Sequence, residues 1–293
     1  MRSSAIALIV FLLFMINACD RVDLPYDGSS GPVTGSGTGI PRNVIVEDFT
    51  GFRCVNCPLA TEALEQLEGV YGDQLIPVGI HMIDFFCEPQ ADPEHPGFFL
   101  TDFRTPDGQA YENTFEVFGI PVGTVNRTED NGSLLIGFGA WDGKIGEVLS
   151  TPADVDIKIK QAEYNAGSGQ IDVQIDALFD NAVDGSHNLT IYLLEDSILE
   201  GQYDGSDVLE NYLHRHVFRG TLNSTWGDQF FTDASPGDSL RYEGSFSLPS
   251  SISSAPSPNP DIDISKCEIV AYIYKSGFDE YEIIQAEKKH VDM

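Results

Sequence analysis

Basic residues are scarce in this chain. Its 16 Lys and Arg stand against 46 Asp and Glu, a formal net charge of −30 over 293 residues. Such a surface repels phosphate backbones, which excludes nucleic acid as a partner. Long apolar runs are also scarce: beyond the first residues no segment is apolar enough to span a bilayer. There is no internal repeat and no second Cys-x-x-Cys, and the chain has only 5 Cys and 2 Trp. What is present is globular in kind, with 42% hydrophobic and 11% aromatic residues. The length allows two cores. The acidity reads as a solvated surface.

The start points to export. Met1-Arg2 is a short positive region, residues 5–16 form an apolar run too short for a transmembrane helix, and Ile16-Asn17-Ala18-Cys19 follows. Ile-Asn-Ala-Cys resembles a bacterial lipobox. The resemblance implies cleavage after residue 18 and lipidation of Cys19, whose several acyl chains would anchor the protein to a membrane. The alternative is an ordinary signal peptide with a chance cysteine. Residues 19–43 are rich in Gly, Ser, Pro and Thr and read as a flexible tether, with a reach on the order of 25–30 Å as a random coil.

Two textures follow. Over residues 44–150 the order is strand (44–49), helix (58–71), strand (75–82), an irregular insertion, helix (108–118), a strand pair (122–126 and 134–139) and helix (141–149). Over residues 151–293 the pattern alternates with period two in about seven strand candidates, at 155–159, 171–175, 189–193, 216–222, 240–248, 267–274 and 281–286. Turn-rich connections and a Pro/Ser loop at 249–260 complete the pattern of an antiparallel sandwich. The expected fold is an α/β unit followed by an all-β, immunoglobulin-like sandwich.

The sharpest motif is Cys54-Val55-Asn56-Cys57-Pro58, between the first strand and the first helix. A thiol at a helix N-terminus faces unpaired N–H groups and the positive end of the dipole, which favour the thiolate. Cys57 lies one turn further, close enough for a Cys54–Cys57 disulfide. Three other readings stay open: a structural disulfide, half a zinc site completed by Cys87 or His81, and a fold whose chemistry has been lost. No cofactor or resident metal is called for. In the same neighbourhood Asp48 precedes Cys54 by six residues, with Glu47 beside it, and Gly119-Ile120-Pro121 precedes a strand.

These positions resemble the thioredoxin superfamily. The resemblance implies that Asp48 accepts the proton of Cys57, unless Glu47 is the inward acid. It further implies that Pro121 is a cis-proline beside the cysteines and that Ile120 offers its backbone to a peptide. Arg53 stands where thioredoxin has Trp, and Val55-Asn56 where it has Gly-Pro, which leaves the redox direction open. The whole chain is more narrowly similar to the 28-kDa outer membrane protein family. The shared features are the lipobox, the tether, Glu47-Asp48-Phe49-Thr50-Gly51 before the cysteines, Ile80-His81, and the β-rich second half with His214 through Gly220. That likeness implies an outer-membrane lipoprotein, read also as a surface adhesin, with a thioredoxin-like first domain.

His81 and Cys87 are possible accessories to the pair. Cys87–Cys267 is a possible bridge between the two units, since lipidation of Cys19 leaves an even number of thiols. His214 and His216, two apart on a strand, read as structural or surface residues. Asp204-Gly205-Ser206-Asp207 resembles a Ca²⁺ loop too loosely to count as one. The expected partners are protein thiols or disulfides, a membrane through the lipid, and, in the binding reading, a surface protein. The expected function is a membrane-anchored thiol–disulfide oxidoreductase, with a surface binding protein as the alternative.

Overall fold

A computed structural model describes residues 39–82, 85–253, 262–278 and 280–293. The signal segment, Cys19, most of the tether and residues 254–260 of the 249–260 loop lie outside these residues. The end of the expected tether is docked: Ile40 bridges Ala153, Arg42 donates to the carbonyls of Thr151 and Pro152, and Asn43 Nδ2 donates to Ala286 O at 2.8 Å.

The protein is mostly β, with a small helical part and a large mixed sheet. Strand β1 (Val44–Thr50) is buried along nearly its whole length, as a strand covered on both faces must be. Val44 and Val46 face helices α1 (Cys57–Tyr71) and α3 (Trp141–Leu149), while Ile45 and Phe49 face the opposite core. In α1 the buried residues Ala60, Leu64, Leu67 and Tyr71 recur at helical spacing, which fixes its inward stripe. Helix α2 (Pro106–Thr114) starts earlier than its sequence pattern suggests. Thr105 Oγ1 caps it by accepting from Gly108 N at 2.9 Å, and Pro106 supplies a preset first turn.

Strand β1 pairs in parallel with β2 (Leu75–His81) and antiparallel with β3 (Val122–Val125). The expected strand at 134–139 is absent. Ile136 makes one bridge to Gly123 and the chain then turns into a short 3-10 helix at Phe138–Ala140. Glycines at 137 and 139 leave too few side chains there to pack a ladder.

The second half begins with β4 (Val155–Asn165), β5 (Gln170–Phe179) and β6 (Val183–Glu195). A hairpin, β7 (Ile198–Asp204) and β8 (Asp207–His214), comes next, then β9 (Val217–Thr221) and β10 (Asp228–Ala234). The chain ends with β11 (Ser239–Ser247), β12 (Cys267–Lys275) and β13 (Ile283–His290). These strands do not keep to themselves. The large sheet runs β13-β12-β6-β9-β2-β1-β3, with β10 also on β6, so it crosses the boundary expected near residue 150. The junction is the parallel bridge Gly79–Val217, with Gly79 N donating to His216 O at 2.8 Å. A smaller sheet, β11-β5-β4, packs over one face, and no sheet among the described residues closes into a barrel. Strands β6 and β12 serve both cores. Tyr192, Leu194, Val270 and Tyr272 face the core shared with β1 and β2, while Ile191, Leu193, Ile269 and Ala271 face the smaller sheet.

The hairpin β7–β8 and strand β10 are additions to the sequence pattern. Asp204-Gly205-Ser206-Asp207, weighed above as a cation loop, is the hairpin's turn, with Gly205 at φ +58°. His214 and His216 also do not share a strand face. His214 ends β8, and His216 sits at φ +51° in the link to β9.

Candidate functional site

The cysteine turn leaves the end of β1 through Gly51. A Cβ added there would lie 2.9 Å from both the Cys87 sulfur and Phe86 Cβ, so only glycine fits. Arg53 N donates to Phe86 O at 2.9 Å, and Cys54 N to Gly51 O at 3.0 Å. Cys57 opens α1, and Asn56 at the N-cap makes no side-chain cap. Within the first turn Cys57 N donates to Cys54 O at 3.3 Å and Leu59 N to Asn56 O at 3.2 Å, and Pro58 has no N–H to offer. Cys54 and Cys57 form a disulfide with Cα atoms 5.4 Å apart.

That disulfide is covered. Cys54 is 3% exposed and Cys57 1%. The cover is the hairpin: Tyr203 N donates to Phe52 O at 2.8 Å and Gly205 N to Val55 O at 3.1 Å. Gln202 Nε2 donates to Gly51 O at 3.3 Å and Cys54 O at 3.1 Å. The insertion after β2 holds the hairpin in place. Glu200 accepts from the backbone N–H groups of Phe99, Leu100 and Thr101, and the Tyr203 ring stacks on Phe99 at 5.2 Å. Arg53 is drawn into this insertion. Its guanidinium donates to Glu88 O and Gln90 O and lies over the rings of Phe52 and Phe99.

The Ile120–Pro121 peptide is cis. The register Phe49–Val122 places it beside the end of β1, where the cysteine turn begins. Half-buried Ile120 packs against the core that contains Phe49 and Phe52.

Glu47 and Asp48 are both buried, on opposite faces of β1. Glu47 accepts from Arg127 at 2.7 and 2.9 Å, from Thr124 Oγ1 at 2.8 Å and from Tyr192 OH at 2.8 Å. Burial opposes its charge, but Arg127 and the other donors prevail and hold its pKa below the usual carboxylate range. Asp48 Oδ1 has no hydrogen-bond partner, and burial raises its pKa well above the ordinary value.

His81, at the end of β2, is buried with neither ring nitrogen in a hydrogen bond. Its ring lies 4.6 Å from Phe103 and 5.7 Å from His214. Burial first, then the nearby His214 and Arg219, lower its pKa well below the usual value. Burial likewise lowers His214 to about 4, with Nε2 3.4 Å from Gly201 O.

Cys87 and Cys267 are not bridged. Cys87 lies under the cysteine turn, its Sγ 3.4 Å from Thr50 O, in the core shared by the two halves. Cys267 lies in the other core with its Sγ 3.4 Å from Asp263 O, and burial pushes its thiol up to about 12. Separate cores keep the two apart. Among the described residues no cluster of three or more His, Cys, Asp or Glu is placed to hold a metal ion. No described helix is long and apolar enough to cross a membrane.

The molecule is thus a mostly-β protein with a Cys-x-x-Cys disulfide at a strand–helix junction, covered by a hairpin. Residues 108–293 match the family described as Outer membrane protein Omp28, and the chain belongs to that family. The match begins beyond Cys57, so it speaks for the scaffold and not for the cysteines. The fold is similar to that of HBP35 of Porphyromonas gingivalis, at 20% identity and a TM-score of 0.65, over 86% of this chain and 76% of that one. A domain of the outer membrane lipoprotein Omp28 from Porphyromonas gingivalis aligns at 20% identity and a TM-score of 0.30, over 48% of this chain and 89% of that one. No curated protein matches the chain.

Proposed function

We propose that this protein is an exported lipoprotein, anchored through Cys19 to the outer membrane, that exchanges disulfides with client proteins. In this reading residues 44–150 form a thioredoxin-like unit and residues 151–293 an immunoglobulin-like sandwich that shares its sheet. Cys54 is the sulfur that meets the client. As a thiolate it attacks a client disulfide, whose S–S bond breaks and leaves a mixed disulfide. Cys57 loses its proton to Asp48 and attacks the Cys54 sulfur. The Cys54–Cys57 bond forms and the client leaves as a dithiol, having gained the two electrons the pair loses; run in reverse, the same steps oxidise a client dithiol at the expense of the disulfide. Ile120 and cis-Pro121 offer the surface along which a peptide lies.

The observation that carries this reading is the position of the disulfide at the strand–helix junction, at an N-terminus without a side-chain cap, on a strand whose Asp48 is buried with Oδ1 unpartnered. A purely structural disulfide needs neither, and one closing so short a loop stabilises little. The test is Cys57→Ser in cells, which should accumulate mixed disulfides on Cys54. Absence of adducts, together with no exchange between the purified pair and glutathione, sinks the reading.

One observation favours a second reading. The family match omits the cysteines, which suits a surface binding protein whose first unit is structural. Cells lacking the protein and complemented with the Cys54→Ser, Cys57→Ser double variant separate the two. Attachment restored in full supports the binding role, while loss of the phenotype supports the redox role.

A further inference from the structure

Between β1, β2, α1 and the end of β8 lies a cavity of about 40 Å³, whose lining includes Asp48, His81, Gln202, His214, Glu68 and His216. That is room for a single water. Gln202 ties the cavity to the cysteine turn through its hydrogen bonds to Gly51 O and Cys54 O. Four buried polar atoms belong to this lining and lack a hydrogen-bond partner: Asp48 Oδ1, both ring nitrogens of His81 and His216 Nε2. Buried polar atoms are almost always satisfied by protein or by ordered water, and a polar cavity of this size is where such water sits.

We propose that water in this cavity joins Asp48 to His81, and that this route carries the proton of Cys57 out to the Glu68–His216 pair. The inference rests on the thiol–disulfide reading above. It adds a route that the sulfur-facing side does not offer, because the hairpin covers that side and leaves the two cysteines 3% and 1% exposed.

The chemistry of the lining fits the task. Burial raises the pKa of Asp48 and so favours its protonated form, which must release one proton to accept another. A neutral imidazole accepts at one nitrogen and donates from the other. His81 is such a group, held neutral by burial and by His214 and Arg219. The other titratable and charged groups facing the cavity are Glu65 and Glu68 from α1, Tyr212 and His214 from β8, and Arg215 and His216 after it. The outer pair is partly exposed, with His216 Nε2 3.2 Å from Glu68 Oε1, an ion-pair contact outside hydrogen-bond geometry. In the resolving step the Cys57 S–H bond breaks and its proton goes to Asp48. The proton already on Asp48 passes to the cavity water and His81, then to bulk. The client sulfur leaves with the electron pair of the broken S–S bond and takes a proton from solvent. His81 is a positioning residue here, acting on sulfur only through Asp48.

The test uses the full chain carrying a mixed disulfide between Cys54 and glutathione, with its resolution rate followed from pH 5 to 9. Asp48→Asn should slow resolution about a hundredfold at pH 7, the low end of what a positioned general base contributes. His81→Gln should slow it about tenfold and move the rate profile to higher pH. The double variant should be no slower than Asp48→Asn alone. Glu68→Gln, at the cavity mouth, should shift the profile in the same direction and serves if His81→Gln does not fold. A wild-type profile in both His81→Gln and Glu68→Gln overturns the proton route and leaves the oxidoreductase standing. A wild-type rate in Asp48→Asn also overturns the route. Failure of the wild-type protein to resolve the mixed disulfide at any pH overturns the oxidoreductase reading itself.

Discussion

The two faces of strand β1 hold adjacent carboxylates at nearly equal burial and treat them in opposite ways. On the face toward α2, β6 and β12, Glu47 is locked by Arg127, Thr124 and Tyr192, and aromatic rings enclose the guanidinium. On the face toward α1, Asp48 Oδ1 has no partner and burial pushes its pKa up. Burial is common to both, and the partners decide the difference. A satisfied acid stays charged and fastens elements together. An unsatisfied one becomes neutral and available for proton transfer.

The comparison breaks most readily at Arg127. Arg127→Leu strands the Glu47 charge in the core and should lower stability by about 3–5 kcal/mol in denaturant titration. Because the pair joins β1 to Tyr192 and Tyr272 of the second half, unfolding should remain one transition. Two separated transitions would show that the halves are not coupled through this sheet.

Acid sensitivity on the Asp48 face should come from its buried histidines, since the raised pKa of Asp48 favours the folded state at low pH. His214, at about 4 when folded and near 6.5 when free, contributes stability that is present above pH 6.5 and is lost as pH falls toward 4. The loss is on the order of 3 kcal/mol. His214→Phe keeps the ring contacts and should flatten that part of the pH–stability curve, leaving a residual slope from His81. A curve unchanged from wild type would place the acid sensitivity elsewhere.

The smallest expected effect concerns the cover. Gln202→Ala removes two hydrogen bonds that hold the hairpin on the cysteine turn, easing local opening by about 1–2 kcal/mol. If opening limits access, reduction of the disulfide by a water-soluble phosphine should speed up about 5–30-fold. An equal rate in variant and wild type would mean that the sulfurs are reached from the Pro121 side without moving the hairpin.

Much of the first half is readable in the sequence because its signals are local. The run Val44-Ile45-Val46 marks a doubly covered strand, and Leu64, Leu67 and Tyr71 mark a helix face. The cysteine junction follows from those two elements. The hairpin is harder to read, although its Asp204-Gly205 turn is a recognised signal. Its strands carry Glu200, Gln202 and Glu210, whose partners are backbone groups or side chains far away in sequence, so no apolar alternation marks a face. The sheet that crosses residue 150 is not readable at all. It depends on one bridge between Gly79 and Val217 and on β6 and β12 burying both faces, a pattern that also suits a separate sandwich.

The hairpin that covers the disulfide also orders events in time. Chains are made from the N-terminus, so Cys54 and Cys57 are synthesised well before Gln202, Tyr203 and Gly205 exist to cover them. The two thiols are therefore uncovered until the second half docks. The cover of the disulfide is thus the last part of this site to be built.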